Sequence, residues 1–83
     1  MEEFLKSYKR KFNNTLRPIK VMLVNRRSSL SQTEWLSIVE RTKESVINQP
    51  DQYLGSDLPD KISLGLLINT IFEEFIEEEV SLK

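Results

Sequence analysis

The sequence predicts an all-α fold: a small single-domain bundle of about four helices, over residues 2–12, 15–27, 31–48 and 58–80. Three observations carry this. Apolar residues recur at helical spacing in each segment. A Ser-x-x-Glu capping box opens the third segment. The one strand candidate, Ile19 to Val24, has no second strand to satisfy its backbone.

Residues 2–12 read as a short amphipathic helix. Met1, Phe4, Leu5, Tyr8 and Phe12 share one face, and the order of acidic Glu2 and Glu3 before basic Lys9, Arg10 and Lys11 suits the helix dipole. Asn13-Asn14 reads as its end. Over 15–27, Thr15 reads as a cap, Pro18 is tolerated in the first turn, and Leu16, Ile19, Met22 and Leu23 form the inward stripe. The β-branched run at 19–24 keeps a strand shared between two subunits as the rival reading.

Residues 31–48 carry the strongest signal. Ser31 and Glu34 form the capping box, Leu30 and Trp35 the matching hydrophobic staple, and Trp35, Ile38, Val39, Thr42 and Val46 the buried face. Pro50 stops the helix. Residues 49–57 hold most of the turn residues, with Tyr53 and Leu54 pinning that loop to the core. The last helix is expected to start at an N-cap on Asp57, with Pro59 and Asp60 in its first turn. Its first half (Ile62, Leu64, Leu66, Leu67, Ile68, Ile71, Phe72) is apolar almost all round, the pattern of a helix central in a core or buried in an interface.

Composition excludes several kinds of chemistry. The 83 residues allow one domain, 1–83. With no Cys and no His there is no disulfide framework, no Cys- or His-ligated metal, and no Ser-His-Asp triad. The acidic start Met1-Glu2-Glu3 is unlike a signal peptide, and the longest nearly apolar run, Ile62 to Phe72, is too short to span a bilayer. A cytoplasmic protein that does not enter a membrane is expected.

Charge is balanced overall, at −1, but not along the chain. Residues 1–27 carry eight Lys and Arg against two Glu, a net of +6; residues 28–83 carry four basic and eleven acidic residues, a net of −7. Such asymmetry points to an interaction surface, or to two halves that neutralise each other within the fold. Lys6, Lys9, Arg10, Lys11, Arg17, Lys20, Arg26 and Arg27, interleaved with Tyr8 and Phe12, have the composition of a nucleic-acid footprint. Against that reading, the reader helix of a helix-turn-helix over 15–48 would carry Glu34, Glu40 and Glu44 against only Arg41 and Lys43. The pairs Glu73/Glu77 and Glu74/Glu78 have the spacing to hold a hard cation, but a run of glutamates on a helix reads first as a solvated face.

The expected function is therefore a small non-catalytic protein-interaction domain, regulatory or adaptor in kind. It is expected to self-associate as a homodimer through the apolar 58–80 helix, with Gly65 permitting close approach and Ile62, Leu66, Leu67, Glu73 and Glu77 binding the partner. The alternative is nucleic-acid binding through 6–27. No cofactor, metal or catalytic residue is expected.

Overall fold

A computed structural model describes residues 2–81, with side chains from Leu5 onward. These form five helices: α1 (Glu2–Thr15), α2 (Arg17–Arg27), α3 (Gln32–Asn48), α4 (Pro50–Leu54) and α5 (Lys61–Ser81). No strand occurs among the described residues, so the fold is all-α and Ile19 to Val24 is helical. The expected inward placement of Met1 and Phe4 lies outside the described side chains.

Asn13 and Asn14 do not end the first helix. α1 continues to Thr15, whose hydroxyl donates to the Lys11 carbonyl at 2.9 Å instead of capping α2. Main-chain bonds from Leu16 N–H to the Phe12 carbonyl (2.8 Å) and from Lys20 N–H to the Leu16 carbonyl (3.0 Å) carry the turn across the joint. The break falls at Leu16, where ψ is 0°, and Pro18 explains it: proline has no N–H for the Asn14 carbonyl, and its ring crowds that carbonyl.

α3 starts as the sequence predicts. The Glu34 N–H donates to Ser31 Oγ at 3.2 Å, and the Ser31 N–H donates to Glu34 Oε1 at 3.1 Å. The segment expected to be a loop contains α4, with Pro50 in its first turn and Tyr53 and Leu54 against the core. Gly55 ends α4 at φ +90° and ψ −171°, a region that only glycine enters freely.

α5 begins three residues later than expected. Its cap is Asp60, whose Oδ2 accepts from the Ser63 N–H at 3.1 Å while its carbonyl accepts from the Leu64 N–H at 2.8 Å. This releases Asp57 for another role, described below.

α5 packs against α3 and α1; α3 also packs against α2 and α4, and α1 against α4. Their shared core is centred on Phe12, Leu16, Leu23, Trp35, Ile68 and Phe72, all essentially without solvent contact. The inward stripe of α2 is Leu16, Ile19 and Leu23; Met22, expected to join it, faces outward and is 47% exposed. At about 100° per residue it stands more than a quarter-turn from Leu23, turned away from α3 and α1, the helices that pack on α2.

Candidate functional site

The sequence-predicted partner residues separate into two groups on α5. Ile62 (77% exposed) and Leu66 (64% exposed) project into solvent, and Glu73 and Glu77 are exposed on the same side. At about 100° per residue these four fall within a sector of about 60°, directly opposite the buried line of Leu64, Ile68, Ile71 and Phe75. Leu67 does not belong with them. It is 7% exposed and lies in the core, because one step from Leu66 carries it round to the side of Leu64 and Ile71.

The outward line of α5 thus has an apolar first half and an acidic second half. Glu73 and Glu77 make no ion pair among the described residues, whereas Glu74 pairs with Lys9 at 2.9 Å and Glu79 pairs with Arg27 at 3.3 Å. No three metal-ligating side chains converge among the described residues.

A second outward apolar face was not legible in the sequence. Val21 and Val24 stand out from α2 with Arg17 on the same side, and Met22, also exposed, lies about 100° further round the helix from Val21. The unbroken apolar run from Val21 to Val24 hid it, since such a run has no polar side to mark which residues face out. Helical phase taken from the two leucines, Leu16 and Leu23, is the signal that separates them.

The basic residues of 6–27 also divide. Lys9 and Lys11 are held by Glu74 and Asp57, and Lys20 Nζ donates to Asn13 Oδ1. Burial lowers the Lys20 pKa, against the opposing pull of Glu78 and Glu74. Arg27 is the most engaged. Its guanidinium lies 5.3 Å from the Trp35 ring centroid and also reaches both the carboxylate and the main-chain carbonyl of Glu79 in the last turn of α5. Trp35 in turn meets Phe75 at 5.8 Å, so one cation joins α2, α3 and α5. Lys6, Arg10, Arg17 and Arg26 are exposed and make no ion pair among the described residues.

Three ion pairs therefore connect the basic first 27 residues to the acidic remainder: Lys9–Glu74, Lys11–Asp57 and Arg27–Glu79. Part of the charge asymmetry is neutralised within the fold. Asp57 accepts from the Tyr8 hydroxyl at 2.9 Å and from Lys11 Nζ at 3.2 Å, at the edge of an open recess of about 270 Å³ that Ser7 also lines. The Tyr8 hydrogen bond, then Lys11, lowers the Asp57 pKa, and the same hydrogen bond raises that of Tyr8.

No polar or charged residue is fully buried among the described residues. No helix among them is long and apolar enough to cross a membrane. No family model, curated protein or solved structure matches this chain. Among the described residues the all-α fold leaves two outward apolar helix faces, one ending in Glu73 and Glu77 on α5 and one beginning at Arg17 on α2.

Proposed function

We propose that this chain is a small non-catalytic protein-interaction domain, of the regulatory or adaptor kind, that engages its partner with the outward face of α5. The observation that carries this reading is the line Ile62, Leu66, Glu73 and Glu77: two large apolar side chains left in water, in register with two carboxylates that have no cation of their own among the described residues. Exposed apolar groups with a polar rim mark contact surfaces, and the carboxylates set orientation and partner choice more than affinity. The fitting partner is an apolar helix or strand edged with Lys or Arg.

Nucleic-acid binding through 6–27 has weaker support. Of the eight cations, Lys9, Lys11 and Arg27 are held by carboxylates of the same chain, and Lys20 is half-buried.

A photo-crosslinking residue at position 66, expressed in the cells that make the protein, tests the α5 reading. The expected result is a discrete adduct that Ile62→Glu abolishes and that the same residue at the exposed position Ser37 does not form. Adducts from position 37 with none from position 66 would refute it.

A further inference from the structure

We propose that the α5 face is occupied by the α2 face of a second copy of this chain. This rests on the reading of α5 as a docking face and names its occupant.

The two faces are complementary in both respects that matter. Each is an apolar line left in water: Val21 and Val24 on α2, Ile62 and Leu66 on α5. Each carries charge of one sign that is unpaired among the described residues: Arg17 on α2, Glu73 and Glu77 on α5. On both helices the charge sits at one end of the apolar pair, so the pattern has a direction. Arg17 precedes Val21 and Val24, while Glu73 and Glu77 follow Ile62 and Leu66. An antiparallel crossing matches them, with Val24 and Val21 over Ile62 and Leu66 and Arg17 reaching Glu73. At a rise of about 1.5 Å per residue, Arg17 to Val24 spans about 10 Å and Ile62 to Glu73 about 16 Å, a difference that an extended arginine side chain covers. A parallel crossing would instead set Arg17 over the apolar end of the α5 line, away from Glu73 and Glu77.

Self-pairing of either face is poorer. Two α5 faces would oppose Glu73 and Glu77 to one another or leave them unpaired, and two α2 faces would do the same with Arg17. The α2·α5′ contact joins different patches on the two copies. It closes as a two-fold dimer when both reciprocal contacts form together, and otherwise grows head to tail. One helix crossing is small beside the roughly 800 Å² per partner of a standard interface, so micromolar association is the expected range.

The test is a concentration series of the purified full chain, from about 1 µM to about 1 mM, by sedimentation equilibrium. The mass is expected to rise above the 9.8 kDa of one chain. Val21→Glu and Leu66→Glu, both at exposed positions, should each weaken association at least tenfold while the far-UV circular dichroism stays that of the parent. An equimolar mixture of the two variants should associate more tightly than either alone, because each supplies the face the other lacks. Arg17→Glu should weaken association, and Arg17→Glu with Glu73→Arg should restore it.

A mass of 9.8 kDa throughout, or parental association by Val21→Glu, would overturn the proposal. So would a mixture no tighter than its components. None of these results touches the crosslinking test at position 66, which decides separately whether α5 is a docking face for some other protein.

Discussion

The indole Nε1 of Trp35 donates to the main-chain carbonyl of Leu23 at 2.8 Å, inside the core. α3 is thus fastened to α2 by a buried hydrogen bond as well as by apolar area, and the Arg27 guanidinium covers the same ring. Truncating this residue removes all three at once. Trp35→Ala is expected to cost about 3–5 kcal/mol, a large part of the stability of a small domain. Trp35→Phe keeps most of the ring and loses the hydrogen bond, for about 1–3 kcal/mol. Urea unfolding followed by circular dichroism measures both. A negligible loss in Trp35→Phe would mean that the Leu23 bond contributes nothing beyond packing.

Asp57 makes stability fall at acid pH. Its folded-state pKa is depressed, chiefly by the Tyr8 hydroxyl and then by Lys11, so its contribution is present above the ordinary aspartate value of 3.8 and is lost as pH falls through the lower folded value. Asp60 at the α5 cap and Glu34 in the capping box are depressed by the N–H groups they accept from and act in the same direction. Tyr8 is the mirror case: its pKa is raised, so its contribution is present below 10.0 and is lost as pH rises through the higher folded value. Asp57→Asn is expected to flatten the acid limb of stability against pH and to return one tyrosine to its ordinary titration. Denaturation midpoints across the acid range and tyrosinate absorbance at alkaline pH check the two ends. An unchanged acid limb would show that the Tyr8–Asp57–Lys11 contact does not persist in solution.

Local signals in the sequence were sufficient at both ends of α3, though not at Thr15, whose hydroxyl turns back to the Lys11 carbonyl. The Ser31–Glu34 box and the stop at Pro50 lie where the pattern places them, because their partners are three or four residues away. Asp57 and Asp60 show where this fails. Both are good cap residues just before a helix, and choosing between them depends on Tyr8 and Lys11, nearly fifty residues earlier in the chain. Leu66 and Leu67 are chemically identical and adjacent, and only the position of α3 and α1 around α5 puts one in water and the other in the core. The exposed face of α2 was hidden for the same reason: an apolar run does not record how many neighbours its helix will have.

The basic N-terminal region should not retain generic nucleic acid. Removing Lys9, Lys11, Lys20 and Arg27 from the available cations leaves Lys6, Arg10, Arg17 and Arg26. Binding that releases counterions falls steeply with salt in proportion to the number of phosphates neutralised, and four exposed side chains give a shallow slope and low affinity. A fluorescent duplex and a fluorescent single strand are expected to show no anisotropy change at physiological salt with micromolar protein. Tight binding that Arg10→Gln with Arg17→Gln abolishes would instead make the nucleic-acid reading the better one.

Gly65 gives the clearest separation between a backbone effect and a packing effect. It sits in the interior of α5, where glycine costs about 0.5–1 kcal/mol relative to alanine because the unfolded chain has more freedom to lose. A Cβ built there meets no heavy atom within 4 Å, since the residue borders an open cleft of about 280 Å³ lined by Ile47, Pro50 and Leu64. The close approach that glycine permits is therefore not used within the chain. Gly65→Ala is expected to raise stability by about the propensity difference, seen as a higher urea midpoint at unchanged slope. Gly55 provides the control. A Cβ there also meets open space, but its φ of +90° strains any side-chain-bearing residue. Gly55→Ala is accordingly expected to lower stability by at least about 1 kcal/mol. The opposite signs at two equally uncrowded glycines follow from dihedral angle alone. A loss of stability in Gly65→Ala would mean that α5 is bent or opened at that turn, contrary to the continuous helix from Lys61 to Ser81.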